Sequence, residues 1–400
     1  MTNSFISPYD RKPPEETKVL VAMSGGVDSS VAAALLKSQG YQVIGIHLQL
    51  WDHGSANQER FSSRCCSLID SNDARRVCDR LDIPFYIINA QDVFKAKVVD
   101  YFVHEYLQTR TPNPCVQCNN AVKFDYLMDR AKELDCDFVA TGHYAQVRFD
   151  PDTGLAQLVR AIDPKKDQSY FLFGMSQESL QKTMMPIGGL SKDHVRKLGL
   201  QFGLNQISNK PDSQEICFIG AEGYQEFIER RTTPELRREG IIRTSAGATV
   251  GRHKGLFRYT IGQRKGLQLN QKDDKRAYYV VGFDTNTDAL IVGDESELFQ
   301  KEVTASRMNW LAPMDLLRPF ECQAKIRAHH EPAQCLVTCF ENDTIYVEFK
   351  ETQRAITPGQ TIVFYQKNQV LGGGFIERAG TEVNPIDLHA EDTRVQSQSL

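Results

Sequence analysis

The segment from Ser24 to Ser29 is the first place where residue types and spacing point to chemistry. It reads SGGVDS and joins a short apolar run, Lys18 to Met23, to helix-like residues that continue to Ser38. Backbone N–H groups and the dipole at a helix start attract anions, and glycines let the main chain approach a phosphate closely. Asp28 is placed to orient Mg²⁺ beside that phosphate. The segment therefore predicts a phosphate-binding loop.

This loop lacks the lysine of the GxxxxGK[ST] motif, and the chain contains no GxGxxG dinucleotide fingerprint. The septet SGGVDSS instead resembles the pyrophosphatase loop of the N-type ATP family. Enzymes of that family cleave ATP between the α and β phosphates and pass AMP to a carbonyl oxygen. The resemblance implies that ATP, accompanied by Mg²⁺, binds at the loop.

Three cysteines form the second group with chemical potential. Residues 111–119 read TPNPCVQCN, and the prolines and asparagines predict a structured loop that presents Cys115 and Cys118 before a helix beginning near Ala121. A thiol near a helix N-terminus has a lowered pKa and is a better nucleophile or metal ligand. Zinc sites, iron–sulfur sites and redox sites all use this CxxC spacing. The third member is Cys217, within DSQEICFIG.

Composition limits the class of protein. The 400 residues are 41% hydrophobic and 24% charged, with a net charge of -4. A nucleic-acid partner would therefore need a local basic surface, and residues 216–276 carry 13 Lys and Arg against 7 Asp and Glu. No secretory signal and no apolar run of transmembrane length is visible, so we expect a cytoplasmic protein without a membrane partner. Ten cysteines in that compartment favour metal, redox or sulfur chemistry over a disulfide framework.

The order of elements predicts an α/β protein. Strand-like and helix-like runs alternate as far as about Pro211, which is typical of a parallel sheet that binds ligands beyond the carboxyl ends of its strands. The later chain is mostly β, with a hairpin predicted at Tyr278 to Asp284 and Ala289 to Asp294, and a small barrel beyond it. The domain boundaries that we predict are 1–17 (disordered lead), 18–212 (catalytic), 213–290 (central mixed α/β), 291–379 (β-barrel) and 380–400 (flexible tail).

Six motifs occur together and in a fixed order. They are the loop at Ser24, TPNPCVQCN, ATGHY at 140–144, KDQSYFL at 166–172, SQEICFIG, and TIGQRKGL at 260–267. From about Lys18 to Glu377 the chain resembles the tRNA-specific 2-thiouridylases. This implies an adenine nucleotide alpha-hydrolase-like (N-type ATP pyrophosphatase) domain, a small mixed domain and a C-terminal β-barrel.

The resemblance assigns site residues by matching position. The ATP group is Ala22, Met23, Ser24, Gly25, Gly26, Val27, Asp28, Ser29, Leu48 and Gly142. The tRNA group is Asn113, Pro114 and Cys115 at the target base, Lys166, Asp167 and Gln168, and Arg327 with Ala328. Family members often carry an aromatic or polar residue at the position of Ala328. The sulfur group is Cys118, the first sulfur-handling cysteine, and Cys217, which carries the persulfide.

The implied reaction suits these residue types. Adenylation of O2 of the wobble uridine in a tRNA converts that oxygen into a good leaving group. A persulfide on Cys217, loaded by a cysteine desulfurase or a sulfur relay protein, supplies the sulfur. Attack by Cys118 on the inner sulfur would release the outer one and leave a Cys118–Cys217 disulfide.

Cys115 departs from the pattern of many family members, which have an aspartate there as the proposed acid–base group. Three converging thiols could ligate a [4Fe–4S] cluster with one open iron, or Zn²⁺ with an open position. A cysteine-type branch of the family resembles this pattern. Our hypothesis is that Cys115, Cys118 and Cys217 ligate an iron–sulfur cluster, with the persulfide route as the alternative.

Other functions remain open at this level. An N-type amidating ligase acting on a small molecule would share the loop without needing the three cysteines. A zinc-stabilised RNA-binding protein without catalytic activity would need the cysteines without the loop. His143, in ATGHY, has a structural or a catalytic role. We interpret Cys335 and Cys339 as barrel core, and Cys65-Cys66 as an incidental pair beside a polar lid.

Overall fold

A computed structural model describes residues 12–51, 68–211, 216–234, 237–270, 277–340 and 343–380. The first part of the chain forms a five-stranded sheet with strand order β3-β2-β1-β4-β7, and every pair in it is parallel. This confirms the predicted α/β class. The strands of this part are β1 (Lys18–Ala22), β2 (Gln42–Gln49), β3 (Phe85–Asn89), β4 (Phe138–Ala140), β5 (Ala145–Phe149), β6 (Ala156–Arg160) and β7 (Thr183–Met184).

Helices cover the sheet and bury its central strand. Val19, Leu20 and Val21 of β1 have no exposed surface, as expected for a strand packed on both faces. The helices are α1 (Val27–Ser38), α2 (Leu68–Leu81), α3 (Gln91–Phe94), α4 (Asp100–Leu107), α5 (Pro114–Gln117), α6 (Leu127–Glu133), α7 (Gln177–Gln181), α8 (Lys192–Gln201), α9 (Asn205–Ser208) and α10 (Gly223–Glu229). Two π-helices, Lys95–Val99 and Cys118–Tyr126, connect α3 to α4 and α5 to α6. Short 3-10 helices lie at Pro14–Glu16, Ser169–Phe171, Leu256–Arg258 and Glu295–Leu298.

The prediction of a loop around the CxxC pair is wrong. Cys115 lies in α5, and Cys118 begins the π-helix that continues into α6. Pro114 does not prevent this, because it occupies the first helical position, where its missing N–H would have no partner in the helix. The helix therefore begins about seven residues before the predicted start at Ala121.

A four-stranded mixed sheet follows α10, in the order β10-β11-β8-β9. Its strands are β8 (Gly240–Thr244), β9 (Thr249–His253), β10 (Tyr279–Asp284) and β11 (Ala289–Gly293). The pairing of β10 with β11 is antiparallel, which confirms the predicted hairpin.

The C-terminal strands close into a six-stranded barrel, as predicted, because β12 pairs with both β15 and β17. The hairpin of β5 and β6 joins the same sheet through Gln369 and Val159, so part of the N-terminal half packs directly on the barrel. The strands are β12 (Phe299–Trp310), β13 (Phe320–Lys325), β14 (Ala333–Cys339), β15 (Ile345–Arg354), β16 (Thr361–Gln366) and β17 (Gln369–Ala379).

Two barrel cysteines belong to the core, as interpreted from the sequence. Cys335 has no exposed surface and lies opposite Cys322 across β13 and β14, with 3.7 Å between their sulfur atoms. Cys339 is half-buried and packs against the same core.

Several expectations fall outside the described residues. These are the lead up to residue 11, the lid with Cys65-Cys66, and the tail after Gly380. The domain boundaries at 212 and 290 stay predictions. In the part of the chain that the structure describes, we find no helix that is both long and apolar enough to cross a membrane.

Candidate functional site

A cavity of about 320 Å³ opens at the carboxyl ends of β1, β2 and β4. We call it the nucleotide cavity. Nine of the ten residues predicted for ATP line it: Ala22, Met23, Ser24, Gly26, Val27, Asp28, Ser29, Leu48 and Gly142. The tenth, Gly25, lies within the loop and has a φ of +72°, a conformation in which a residue with a side chain would be strained.

Close backbone approaches explain two of the glycines. A Cβ on Gly25 would lie 2.3 Å from the carbonyl oxygen of Asp70, and a Cβ on Gly142 would lie 2.5 Å from the backbone nitrogen of Ser29. The loop is closed internally, since the Ser24 N–H donates to the Ser29 hydroxyl at 3.1 Å. A larger residue at Gly25 would push the loop away from α2, and one at Gly142 would push the residues after β4 away from the start of α1.

Asp28 is fixed by two side chains that the sequence reasoning missed. The Lys192 ammonium lies 2.8 Å from both carboxylate oxygens, and the Tyr144 hydroxyl donates to one of them at 2.8 Å. Lys192 comes from the first turn of α8, and its side chain is only 9% exposed. Tyr144 belongs to the ATGHY motif that the sequence had singled out, whereas nothing in the local pattern marked Lys192.

Lys210 forms a second group of ion pairs beside the loop. Its ammonium contacts Asp70 at 2.6 Å, Asp73 at 2.9 Å and the Gly25 carbonyl at 3.2 Å. Burial lowers the pKa of Lys210, but its hydrogen bonds to the two carboxylates outweigh burial and raise the pKa above the usual value. This lysine therefore stays charged and ties α2 to the phosphate-binding loop.

His143 lines the nucleotide cavity together with Lys123. Its Nδ1 lies 2.9 Å from the Thr141 hydroxyl, and the ring is 8% exposed. Burial, and to a smaller extent the charge of Lys123, hold the pKa of His143 well below its usual value. The ring is therefore neutral near pH 7.

The predicted tRNA segment 166–168 divides into two kinds of residue. Lys166 and Gln168 line the nucleotide cavity, and the Gln168 side-chain oxygen accepts the Tyr144 N–H at 2.9 Å. Asp167 has a 2% exposed side chain that pairs with Arg160 at 2.9 Å and also accepts two hydrogen bonds from Ser169. In this structure Asp167 therefore supports the loop rather than presenting its carboxylate to a ligand.

The three cysteines lie in unequal surroundings. Cys118 is 7% exposed within an apolar cluster that includes Phe218 and Ile219, and half-buried Cys217 packs against the same cluster. Cys115 is exposed. Across the described ranges, which include all three, no three His, Cys, Asp or Glu side chains are arranged to hold a metal ion. The structure thus brings Cys118 and Cys217 into one cluster and does not form the expected three-thiol ligand set.

A second cavity, of about 500 Å³, lies between the barrel, the segment that precedes the CxxC pair, and residues 224–225 and 260–263. We call it the barrel cavity. Arg327, Gln360 and Thr111 line it, and the Gln360 amide donates to the Thr111 carbonyl at 2.9 Å. Ala328 instead packs against an apolar cluster that contains Tyr170, and Asn113 is buried.

The fold and the site together define a class of protein. A parallel sheet with a loop suited to phosphate is typical of nucleotide-binding proteins, and here cysteine thiols lie close to that sheet. Family models match three successive segments: a tRNA methyl transferase HUP domain over residues 17–221, a tRNA methyl transferase PRC-barrel domain over 225–294, and an aminomethyltransferase beta-barrel domain over 300–376.

Curated relatives match nearly the whole chain. A tRNA-specific 2-thiouridylase MnmA of Symbiobacterium thermophilum is 47% identical over 92% of this chain and 93% of its own. Those of Carboxydothermus hydrogenoformans and Clostridioides difficile are 45% and 43% identical, each over 90% of this chain and 98% of their own. The chain belongs to the tRNA-specific 2-thiouridylase family.

Solved structures are more distant. An NMN synthetase of Francisella tularensis has a TM-score of 0.32 at 20% identity, covering 50% of this chain and 67% of its own. A 4-thiouridine synthetase in complex with RNA and ATP has a TM-score of 0.28 at 16% identity, covering 55% of this chain and 51% of its own. The family assignment therefore depends on the sequence comparisons.

Proposed function

We propose that this chain is a tRNA-uridine 2-sulfurtransferase that adenylates O2 of the wobble uridine with ATP and then replaces that oxygen by sulfur. The observation that carries the proposal is one continuous helical run, Pro114 to Glu133. It presents the CxxC pair at one end and Lys123 to the nucleotide cavity further along. An enzyme that activates a carbonyl with ATP and then delivers sulfur needs these two sites next to each other.

The nucleotide cavity supplies the activation step. The loop N–H groups and the dipole of α1 favour the pyrophosphate end of ATP, and Leu48 faces the same cavity from β2 for the adenosine. Attack by the uridine O2 on the α-phosphorus forms an O–P bond and expels pyrophosphate. The uridine becomes a good electrophile at C2, because AMP is a much better leaving group than oxide.

Asp28 is the residue that we propose for magnesium. Mg²⁺ is commonly held by one or two carboxylates together with substrate phosphates, so a single partly exposed carboxylate in the phosphate-binding loop fits an ion that arrives with ATP. Such an ion supplies charge neutralisation on the phosphates. Before such an ion binds, Lys192 and Tyr144 keep the Asp28 carboxylate in place at the cavity.

The sulfur step fits a persulfide better than a cluster. An iron–sulfur cluster needs its thiolates to converge, whereas here Cys118 is buried, Cys115 is exposed, and no three-ligand group is formed among the residues that the structure describes. We therefore propose that a sulfur donor protein, a desulfurase or a relay protein, loads a persulfide on Cys217. Cys118 attacks its inner sulfur, a Cys118–Cys217 disulfide forms, and the outer sulfur leaves as hydrosulfide to attack C2. A thiol reductant then restores both cysteines.

Contact with tRNA is proposed for two surfaces. Asn113, Pro114 and Cys115 lie where the helical run begins, which suits the target base, and Arg327 lines the adjoining barrel cavity. The Thr111 N–H donates to the Pro358 carbonyl at 2.8 Å, so this segment and the barrel wall keep a fixed spacing. A contact between Arg327 and an RNA phosphate would position the RNA without reading its sequence.

The test is incubation with ATP, unmodified tRNA and a cysteine desulfurase with free cysteine as the persulfide donor, followed by mass analysis of the nucleosides. We expect 2-thiouridine with tRNA-dependent AMP formation in the wild type, and none with Cys118→Ser. Absence of 2-thiouridine under both aerobic and anaerobic conditions would overturn the proposal. AMP formation with ammonia and a small acceptor, independent of tRNA, would instead support the amidating ligase.

A further inference from the structure

One helical run connects the thiol of Cys118 to the nucleotide cavity. It begins as α5, becomes π-helical from Cys118 to Tyr126 and ends as α6. Cys118 is the first residue of the π-helical part, and Lys123, five residues later, lines the nucleotide cavity. A single element therefore reaches both the sulfur site and the nucleotide.

The π-helical geometry changes which residues share a direction. In an α-helix, residues five apart point about 140° away from each other, because each residue turns the chain by roughly 100°. A π-helix bonds each N–H to the carbonyl five residues earlier, which brings residues five apart close to alignment. Cys118 and Lys123 are therefore directed to the same side of the run. Short π-helical segments are rare and occur frequently at functional sites.

Lys123 lines the nucleotide cavity. It is half-buried, and its charge is close enough to His143 to act on that ring. Gly142, the residue before His143, packs against the backbone between Asp28 and Ser29. Lys123 therefore shares the cavity with the phosphate-binding loop and belongs to the helical run that carries Cys118.

Two other lysines beside the loop have a different role. Lys192 is bound to both oxygens of Asp28, and Lys210 to Asp70 and Asp73, so these pairs fix the loop. Phosphate-binding loops of the GxxxxGK[ST] type carry their own lysine, and this loop has none. A lysine that reaches the nucleotide must therefore come from another element. Lys123 and Lys166 both line the cavity, and of these two Lys123 belongs to the helical run that carries Cys118.

We propose that Lys123 is a catalytic residue whose ammonium contacts the α-phosphoryl oxygens of ATP and then the phosphate of the adenylated uridine. This inference rests on the proposed function. In the first step the bond from O2 to the α-phosphorus forms, pyrophosphate departs with its bonding electron pair, and the uridine N3 proton passes to solvent. In the second step hydrosulfide attacks C2, AMP departs with the C2–O2 electron pair, and the sulfur proton moves to N3. Negative charge grows around the α-phosphoryl group in both steps, and a fixed ammonium stabilises it.

The test compares Lys123→Met and Lys123→Arg with Lys132→Met. Lys132 lies further along the same run, in α6, and its side chain is 58% exposed. In tRNA-dependent AMP formation we expect Lys123→Met to lower kcat by about a hundred- to thousandfold. KM for ATP should change by less than about threefold, because this contact strengthens only as charge develops. Lys123→Arg should recover at least about tenfold, and Lys132→Met should match the wild type.

Equilibrium binding separates this inference from the proposed function. We expect Lys123→Met to weaken AMP binding by about tenfold while adenosine binding stays within twofold. The α-phosphate of AMP is terminal and carries the additional negative charge that develops on ATP only during the reaction, whereas adenosine carries no phosphate. This measurement needs no tRNA and no sulfur, so it stands even if thiolation is never observed. Equal losses for AMP and adenosine, or a kcat within threefold of Lys132→Met, would overturn the role of Lys123.

Discussion

The ammonium of Lys192 lies 2.8 Å from both carboxylate oxygens of Asp28, although the two residues are 164 positions apart in the chain. Asp28 is in the first turn of α1, and Lys192 is in the first turn of α8. The pair is partly buried, with 9% of the lysine side chain and 31% of the aspartate side chain exposed. A cation beside this carboxylate offsets its repulsion of ATP phosphates.

Lys192→Met should therefore impair ATP use. The Asp28 carboxylate would lose its main partner while keeping the Tyr144 hydrogen bond, so we expect AMP formation to fall by roughly 10–100-fold, as for other residues that orient a ligand-binding side chain. Steady-state kinetics with varied ATP measures this. Lys197→Met, exposed on the same helix, is the matched control. Wild-type kinetics in Lys192→Met would show that the pair serves stability alone.

Cys115 should be dispensable for thiolation, unlike Cys118 and Cys217. It is exposed and outside the apolar cluster that holds the other two, so Cys115→Ser should keep activity within about fivefold, a change of roughly 1 kcal/mol in the barrier. Cys118→Ser and Cys217→Ser should abolish 2-thiouridine formation. Nucleoside mass analysis measures all three. Complete loss in Cys115→Ser, with iron in the purified wild type, would restore the cluster hypothesis.

His143 should make the fold sensitive to acid. Burial, and to a smaller extent the charge of Lys123, holds the pKa of His143 below the ordinary 6.5. As pH falls, His143 is therefore protonated in the unfolded chain before it is protonated in the folded protein. The stability associated with the neutral ring is fully present above pH 6.5 and is lost below it, by at most about 1.4 kcal/mol per pH unit.

We therefore expect the melting temperature to fall less between pH 7 and pH 5 in His143→Gln than in the wild type. His194→Gln, exposed on α8, is the control and should follow the wild type. Identical pH dependence in all three proteins would contradict the neutral state of His143.

Gly142→Ala should damage the nucleotide cavity by steric contact alone. Its Cβ would lie 2.5 Å from the backbone nitrogen of Ser29, so the loop or β4 must shift, at a cost of about 1–3 kcal/mol in unfolding free energy. ATP binding should weaken more than tenfold in calorimetric titration. In Gly282→Ala the nearest atom would be 3.8 Å away, so this control should bind ATP normally. Normal ATP binding in Gly142→Ala would refute the close packing.

Arg327→Ala should weaken tRNA binding without changing ATP binding. Loss of one phosphate contact should raise the Kd for tRNA several-fold and reduce the salt dependence of log Kd by about one unit of slope. Filter binding over a salt series measures both. Arg318→Ala, whose side chain is 86% exposed, is the control. An unchanged salt slope in Arg327→Ala would remove the barrel cavity from the tRNA surface.

The features that were predicted from the sequence are those that depend on neighbouring residues in the chain. The turn from β1 into α1 depends on the glycines and serines of its own segment, so a loop at Ser24 to Ser29 was predicted without the fold. The hairpin of β10 and β11 was likewise visible as two β runs around a polar turn. The CxxC pair was misplaced because Pro114 favours either a helix start or a loop, and only the packing of Val116 and Cys118 decides between them.

Contacts between distant parts of the chain were beyond the sequence reasoning. Lys192 and Lys210 reach Asp28 and Asp70 across 164 and 140 residues, and no spacing rule links such positions. The junction of β6 with β17 depends in the same way on tertiary pairing rather than on strand propensity. The burial of Asp167, predicted to contact tRNA, follows from its ion pair with Arg160 and was equally invisible.

The most direct test of the central claim is a single turnover with the enzyme preloaded with persulfide, ATP and unmodified tRNA, without any added sulfur donor. The account predicts one 2-thiouridine per AMP released, and a Cys118–Cys217 disulfide in the peptide map of the spent protein. AMP release without 2-thiouridine, or 2-thiouridine formed while both cysteines stay reduced, would contradict it.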